Sequence, residues 1–322
     1  MSDPLAGNAN YQMAGVSPTP TIWGIGGGKG GIGKSFISSN LAISLARTGS
    51  KVTVVDLDLG SANLHTCLGT QAPQNSLSDY FAGRISDLNS LLMPTSLAKL
   101  NFIGGFNDAL NVTNIPAENR ERLMAAIRNS LQCDYVILDL GAGTHDSTLD
   151  FFLASDQKII TVVPEPTSIE NAYRFMKAAF YRKVQRDQQG YGVSPIIEEA
   201  MDHKNKYNIR SPADLLNYIV QADPIHSRQF AQEMARFHLQ LVVNQVRTRQ
   251  DADLGHSIAS VCQKYFGIQV SYAGYLDYDN AVWQSLRQKR PLLLHAPYSP
   301  LMAQFFNITR HLVNPNYHKA VV

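Results

Sequence analysis

The 322-residue sequence contains only three cysteines, and none of them stands near another. Cys67, Cys133 and Cys262 form no C-x-x-C pair, and the nine histidines show no ligand spacing, so the sequence indicates neither a thiolate nor a histidine metal site. A few scattered thiols are typical of a reducing compartment. We therefore expect a cytoplasmic protein whose cysteines are buried or incidental.

Long apolar runs and an excess of one charge are also missing. No segment approaches the roughly 18 uninterrupted apolar residues of a membrane-spanning helix, and residues 1–20 lack the cationic start and apolar centre of a signal peptide. The 28 lysines and arginines nearly balance the 26 acidic residues. Bulk charge therefore directs the chain neither to nucleic acid nor to membrane.

What the sequence does have is a glycine-rich stretch, residues 26–35, which reads GGGKGGIGKS. From Gly28 it matches the phosphate-binding pattern G-x-x-x-x-G-K-[ST], which Gly33, Lys34 and Ser35 complete. In such a loop backbone N–H groups surround a phosphate, the lysine reaches the β and γ phosphates, and the hydroxyl ligates Mg²⁺. We predict that the nucleotide is contacted by Gly28, Lys29, Gly30, Gly31, Ile32, Gly33, Lys34, Ser35 and Phe36.

The residues around the loop support this interpretation. Residues 21–25 are typical of a buried strand, and apolar residues at helical spacing follow the loop as far as Gly49. The loop also contains the dinucleotide pattern G-x-G-x-x-G, which requires an acidic residue about 20 positions further on. The next acid at a strand end, Asp56, comes later than that. The order of strand, glycine loop and helix therefore favours the phosphate-binding loop.

Two further apolar runs end in aspartate. Residues 51–56 lead into Asp56-Leu57-Asp58, and residues 135–139 end in Asp139. Carboxylates at the end of a buried strand are costly unless a cation or water meets them. Beside a phosphate-binding loop, an apolar strand that ends in aspartate is the Walker B arrangement, which holds Mg²⁺ directly or through water. We predict Ser35 and Asp139 as metal contacts.

The loop has one lysine more than the minimal pattern, Lys29. The run G-K-G-G-I-G-K-S resembles the deviant Walker A signature of the MinD/ParA family of P-loop ATPases. The resemblance implies an ATP-bound homodimer in which Lys29 of each subunit reaches the partner's ATP, and slow hydrolysis that returns monomers. The alternative is that Lys29 is an ordinary solvated lysine of the loop.

The same resemblance assigns roles to residues outside the loop. Asp58 would position the attacking water, which makes Lys29, Lys34 and Asp58 the predicted catalytic residues, and Asp56 would support the water shell of the metal. The alternative for this pair is two acids that cap a loop. Asn244 matches a residue that recognises the adenine edge, although asparagine after a strand also forms turns. Asp277 lies in a segment that resembles the loop over the base.

The order of elements predicts a doubly wound, mostly parallel α/β sheet with helices on both faces. We expect one P-loop ATPase domain over residues 20–315, with a flexible N-terminal tail at 1–19 and a C-terminal tail at 316–322. Residues 181–237 are rich in polar side chains and predict a helical insertion. The mixed charge of this insertion favours a solvated helical face over a binding site.

Two helices of the predicted domain have distinctive sequence patterns. Thr167-Ser168-Ile169-Glu170 predicts a helix that opens with a capping box. The last helix, residues 301–313, places its apolar residues on one face and has only Arg310 as a firm cation. That pattern predicts core packing and argues against direct membrane anchoring.

Within the MinD/ParA family, Asp277-Tyr278-Asp279 and the segment from Arg287 to Pro291 most resemble the MinD-like FlhG/FleN proteins, which set flagellar number and place. We therefore expect a positioning ATPase with a protein partner that stimulates hydrolysis; chromosome or division machinery are alternative cargoes. A second alternative is a partition ATPase that binds nonspecific DNA. A small-molecule kinase is a lesser one, and a metal-cluster carrier would need the paired cysteines that this chain lacks. The residues that would contact DNA are Arg247, Arg249, Arg287, Lys289 and Arg290.

Overall fold

The computed structural model describes residues 19–58, 62–105, 115–191, 193–201, 208–225 and 227–314. In these ranges eight strands form one sheet in the order β3-β4-β2-β5-β1-β6-β7-β8, parallel except for the antiparallel pair of β3 and β4. The strands are β1 (Thr21–Gly26), β2 (Val52–Leu57), β3 (Met93–Pro94), β4 (Leu100–Ile103), β5 (Tyr135–Leu140), β6 (Gln157–Val162), β7 (His238–Val246) and β8 (Gln269–Asp277).

Helices cover both faces of this sheet. They are α1 (Lys34–Arg47), α2 (Leu64–Leu68), α3 (Leu77–Phe81), α4 (Ala117–Ser130), α5 (Asp146–Ala154), α6 (Pro166–Asp187), α7 (Ser194–Met201), α8 (Pro212–Ala222), α9 (Ser227–Ala235), α10 (Arg249–Val261), α11 (Asn280–Arg287), α12 (Leu292–His295) and α13 (Pro300–Val313). Short 3-10 turns occupy Leu88–Leu91 and Gln188–Tyr191, and a π-helical turn, Cys262–Phe266, follows α10.

Two apolar layers enclose the strands. One layer lies between the sheet and the group α4 to α10, and the other lies between the sheet and α1, α2, α12 and α13. Every residue of β2 is buried, as expected for a parallel strand covered on both faces. β1 lies in the middle, where the strand order diverges towards β5 on one side and β6 on the other, and ligands of doubly wound sheets bind at such a point. The predicted fold class is confirmed.

Helix α6 begins differently from the prediction. It starts at Pro166, its N-cap residue Glu165 makes no side-chain cap, and the Ser168 hydroxyl instead accepts a hydrogen bond from the Val163 N–H at 3.0 Å. The predicted capping box at Thr167–Glu170 is therefore wrong. Proline at the first helical position already has the backbone angle of a helix, and the helix starts two residues earlier than a cap at Thr167 predicts.

The predicted helical insertion consists of the end of α6 followed by α7, α8 and α9. Residue 181 is no boundary, because α6 continues to Asp187. The inner faces of these helices are buried in the same apolar layer as α6, with Ile197, Leu215 and Phe230 at 1% exposure or less. The insertion is therefore part of the core.

The last helix packs as the sequence predicts. The residues Leu301, Phe305, Ile308 and Leu312 of α13 are all buried. Among the described residues, no helix is both long enough and apolar enough to span a bilayer. The predicted tails, residues 1–19 and 316–322, lie outside the described ranges except for Thr19.

Candidate functional site

The glycine-rich loop connects the carboxyl end of β1 to the first turn of α1. Gly33 has φ 92°, in the left-handed region that favours glycine, and a side chain there would collide with the Asn244 amide. A Cβ on Gly28 would overlap the carbonyl oxygen of Asn171 in α6. A Cβ on Gly30, by contrast, would meet nothing within 4 Å. The loop is thus packed tightly against α6 and β7 at two points and open between them.

Lys34 stands at the start of α1 with only 7% of its surface exposed. Its Nζ lies 3.5 Å from the backbone oxygen of Lys29, inside the curve of the loop. Burial lowers the pKa of Lys34, and the nearby carboxylates of Asp139 and Asp58 oppose that shift. A buried ammonium held within a glycine loop is well placed to bind a phosphate.

Asp56 and Asp139 face each other from neighbouring strands. They are paired in register across β2 and β5, and each is only 1% exposed. Burial raises the pKa of both carboxyl groups, and at Asp56 the charge of Asp139 raises it further. Two like charges in one buried place need a cation or a shared proton.

The hydrogen bonds of this pair are incomplete. Asp56 accepts hydrogen bonds from the backbone N–H groups of Asp58 at 3.1 Å and Leu64 at 3.2 Å, and Asp139 Oδ1 accepts one from the Ser38 hydroxyl at 2.8 Å. Asp139 Oδ2 is buried and has no hydrogen-bond partner among the described residues. The chemistry of two carboxylates with an unused oxygen, beside a phosphate loop, fits Mg²⁺, which prefers oxygen ligands and binds with substrate phosphates.

Asp58 lies between the ends of β2 and β5. A Cβ on Gly141, just after β5, would stand 3.3 Å from Asp58 Oδ1, and the charge of Asp58 also affects the pKa of Lys34. The structure therefore brings Asp58, Asp56, Asp139 and Lys34 together at one sheet edge. Residues 59–61, which continue from Asp58, lie outside the described ranges.

Lys29 points at its own chain. Its ammonium donates to Glu165 Oε2 at 3.0 Å and to Thr167 Oγ1 at 3.2 Å, at the start of α6. The Lys29 side chain is 38% exposed and the Glu165 side chain 58% exposed, so the pair is near the surface. The predicted role of Lys29 in a partner's site would require it to leave these two residues.

Asn244 and Phe36 reach the loop in different ways. The Asn244 amide donates to the Ile32 carbonyl oxygen at 2.9 Å and is 4% exposed, so it supports the loop from β7. The Phe36 ring packs against Phe305 of α13 with centroids 5.5 Å apart. The side chain of Phe36 is thus part of the core, which leaves its backbone for a ligand.

Asp277, the remaining predicted nucleotide contact, lies at the end of β8. Its backbone N–H donates to Gln304 Oε1 at 3.0 Å, and its carboxylate accepts from Gln304 Nε2 at 2.7 Å. In the described structure the hydrogen bonds of Asp277 go to α13 and not to the phosphate loop. This residue tethers the strand end to the last helix.

The cations that were predicted to contact DNA are partly stacked on aromatic rings. The Arg247 guanidinium lies 3.7 Å from the centroid of Tyr278, and that of Arg287 lies 5.2 Å from the centroid of Trp283. The backbone of Lys289 lies against Gly69, at the end of α2, where a Cβ would be 2.6 Å from the Lys289 oxygen. The basic segment, residues 287–290, thus contacts the end of α2, the first helix after Asp58.

Four residues that sequence reasoning missed complete the site: Ser38, Asn171, Glu165 and Thr167. Ser38 stands one helical turn after Lys34, so helical spacing alone could have placed it beside Asp139. Glu165 and Thr167 follow the end of β6, the strand next to β1. Because β6 neighbours β1, residues just after β6 are expected beside the phosphate loop, and this position could have identified Glu165 and Thr167. No local sequence pattern marks Asn171.

A family model matches this chain over residues 20–193, more than half of its length. The model is ParA, described as NUBPL iron-transfer P-loop NTPase. This match confirms the resemblance that the double-lysine loop predicts. The three cysteines of this chain are free and separate, and within the described ranges no group of three His, Cys, Asp or Glu side chains could hold a metal.

Curated relatives include two proteins with flagellar names. Antiactivator FleN of Pseudomonas aeruginosa is 34% identical over 167 residues, which are 52% of this chain and 58% of FleN. The flagellum site-determining protein YlxH of Helicobacter pylori is 34% identical over 151 residues, which are 47% of this chain and 50% of YlxH. The chain therefore spans little more than half the length of these relatives.

Among solved structures, the septum site-determining protein MinD of Pyrococcus horikoshii, complexed with Mg-ADP, is similar to this chain. Its TM-score is 0.59 at 18% identity, and the match covers 94% of this chain and 100% of that one. At this identity the likeness shows the fold alone.

Proposed function

From the premise that this chain belongs to the ParA family of P-loop NTPases, we propose that it is an ATPase switch that positions a cellular structure. The observation that carries the proposal is the second loop lysine: Lys34 is buried inside the loop, while Lys29 is at its surface. One lysine can serve the nucleotide of its own chain and the other that of a facing copy. Residues 20–315 form the ATPase domain in this proposal.

Each residue of the site has a part in this switch. Lys34 and the loop N–H groups bind the phosphates. Asp58, at the junction of β2 and β5, accepts a hydrogen bond from the attacking water and so orients it. Ser35, Asp56 and Asp139 would hold Mg²⁺, which when bound neutralises charge on the β and γ phosphates.

The positioned structure is proposed from the relatives that match this chain. FleN is named an antiactivator and YlxH a flagellum site-determining protein. We infer that this chain acts in the same kind of task, setting the number or place of flagella, with a protein partner that stimulates hydrolysis. In cells that carry flagella, a Lys34→Ala variant should change flagellar number or position, while Lys177→Ala, an exposed lysine of α6, should leave both unchanged.

The first experiment is the solution mass of the full chain with Mg-ATP and with Mg-ADP. We expect dimers of Asp58→Ala with ATP, because hydrolysis is blocked, and monomers with ADP. Lys29→Ala should stay monomeric with either nucleotide, whereas the control Lys177→Ala should behave as wild type. A mass that nucleotide leaves unchanged in wild type and in Asp58→Ala would contradict the switch.

A partition ATPase that binds DNA is the second candidate. The contact of Lys289 with α2 supports it, because nucleotide-dependent movement after Asp58 would reach the basic segment directly. Binding of duplex DNA should then require ATP and weaken steeply between about 50 and 200 mM salt. Arg287→Gln should bind DNA more weakly than wild type. DNA binding that depends on neither nucleotide nor salt would rule this candidate out.

A further inference from the structure

A cavity of about 220 Å³ lies at the edge of the sheet opposite the phosphate loop. Lys158 marks its place, near the amino end of β6, whereas the loop follows the carboxyl end of neighbouring β1. Helix α6 connects the two places, since it starts beside Lys29 and its last turn lines the cavity. Along this helix the separation is about 30 Å, so the cavity is distinct from the nucleotide site.

Charged side chains from α6, β6, α9 and the residue that follows α9 line this cavity. The cations are Lys158, Lys183, Arg186 and Arg236, and the acids are Asp187 and Glu233. The cations therefore outnumber the acids by two. An uncompensated excess of this kind around one concave space creates a local positive potential, although the chain as a whole is nearly neutral.

The ion pairs within the lining show which cations are left over. Lys183 binds Asp187 at 2.6 Å and lies 3.5 Å from Glu233, which also pairs with Arg236 at 3.3 Å. Both acids are thus already in use. Arg186 makes no hydrogen bond or ion pair with a described residue, and Lys158 donates to the Ser155 backbone oxygen at 2.6 Å. Neither Arg186 nor Lys158 has an ion-pair partner within the described ranges, and Asp150, the carboxylate on which the charge of Arg186 acts, is already paired with Arg120 and Arg182.

The surroundings of Lys158 lower its pKa. Burial lowers its pKa to about 8, and the positive charge of Lys183 is the next contribution. Asp156 opposes this shift, but Asp156 is itself paired with Arg128 at 3.0 Å. His238, at the start of β7, has its own pKa lowered by burial and by Lys158, so it is neutral at pH 8 and neither adds to nor offsets the positive charge. An anion in the cavity would restore the pKa of Lys158.

We propose that this cavity binds the phosphate group of a small phosphorylated molecule. A tetrahedral dianion matches an excess of two positive charges, and guanidinium and ammonium groups together are its usual protein donors. Leu153 and Phe237 form an apolar wall on which the carbon part of the ligand packs. At about 30 Å³ for each water in the liquid, the volume admits a phosphate with several further atoms and excludes a long chain.

The test is calorimetric titration of the full chain with sulfate and with glycerol 3-phosphate. The protein is first saturated with Mg-ADP, so that the phosphate loop is occupied. We expect both ligands to bind one site, the phosphate ester more tightly because of the apolar wall. Arg186→Gln should weaken binding tenfold or more, since a charged hydrogen-bonding group is lost. Arg174→Gln, on the same helix but paired with Glu170, is the matched control and should bind as wild type.

Proton uptake provides a second reading that does not depend on affinity. Sulfate is fully ionised near neutral pH, so any proton taken up at pH 8 belongs to the protein. Because Lys158 has a pKa of about 8, binding should take up as much as about half a proton, and Lys158→Gln should abolish the uptake. Absent binding, equal binding by acetate, or binding that Arg186→Gln leaves intact would each overturn the proposal.

Discussion

The buried carboxylate of Asp139 is held in position by a hydrogen bond, although its hydrogen bonding is incomplete. Its Oδ1 is bonded to Ser38, its Oδ2 has no partner among the described residues, and Asp56 faces it from the next strand. Folding must therefore bear the cost of two buried carboxyl groups before any ligand arrives. The residues that lower this cost, such as Ser38, are as much a part of the site as the carboxylates.

The first prediction concerns Ser38→Ala. Removing this hydroxyl takes away the hydrogen bond to Asp139 Oδ1 and leaves Ser35 as the remaining hydroxyl that stabilises this carboxylate. Loss of a hydrogen bond to a buried charged group costs about 1–3 kcal/mol. We expect that loss of unfolding free energy in urea denaturation without nucleotide or Mg²⁺. Ser39→Ala, whose hydroxyl binds only a carbonyl of its own helix and the Asn40 amide, should cost less. Equal losses for the two variants would show that Ser38 has no special role.

The second prediction concerns Glu165→Gln. In the described chain Glu165 holds Lys29, which the proposed dimer needs for the partner's nucleotide. Exposed ion pairs contribute about 0.2–1 kcal/mol each, and dimerisation breaks one in each subunit, so the variant should tighten the ATP-dependent dimer about two- to thirtyfold. Sedimentation velocity over a concentration series measures this. Glu170→Gln, which breaks an exposed pair with Arg174 in the same helix, should leave dimerisation unchanged.

At the scale of elements, the phosphate loop is shaped by its neighbours as much as by its own glycines. Asn244 of β7 holds the Ile32 carbonyl, and the Asn171 backbone of α6 fills the space above Gly28. Two elements that come late in the chain thus fix a loop that comes early. The loop acquires its shape only when β1, α6 and β7 are in place.

The third prediction compares Gly28→Ala with Gly30→Ala. A methyl group at Gly28 would overlap the Asn171 carbonyl oxygen, which as backbone cannot move aside cheaply, whereas a methyl group at Gly30 meets nothing within 4 Å. Overpacking of this kind typically costs about 1–3 kcal/mol. Thermal unfolding without nucleotide should therefore show a lower Tm for Gly28→Ala only. A similar loss at Gly30 would contradict the packing described here.

At the scale of the whole molecule, the insertion tests whether the chain is one cooperative unit. Phe230 in α9 is fully buried and packs on Tyr191, with ring centroids 5.8 Å apart. The fourth prediction is that Phe230→Ala destabilises the entire chain by about 3–5 kcal/mol in a single transition. Gln229→Ala, its exposed neighbour, is the control. A separate early transition for α7 to α9 would show instead that the insertion unfolds alone.

The sequence predicted the fold well because its signals are local. Apolar strands that end in aspartate and glycines at fixed spacing are each visible within a few residues. The residues predicted to bind nucleotide or Mg²⁺ include Lys34, Asp56, Asp58 and Asp139. They lie close together because the carboxyl ends of parallel strands meet at one edge of the sheet. Their roles remain predictions.

Contacts between distant segments were beyond that reasoning. The pairing of Lys29 with Glu165 joins residues 136 positions apart, and that of Asn244 with Ile32 joins residues 212 apart. The capping box predicted at Thr167 failed for a related reason, because Ser168 turns to the end of β6 instead of to its own helix. A single sequence carries no trace of which remote backbone atom a polar side chain will meet.

Helix α6 has one consequence that follows from its length alone. Its 22 residues make an uninterrupted rod of about 33 Å, with the partner of Lys29 at one end and Arg186 near the other. A tilt of about 5° about its first turn would carry its last turn through about 3 Å. A tilt that hardly displaces the first turn, beside the phosphate loop, would therefore displace the last turn, which lines the cavity, by about the width of an atom.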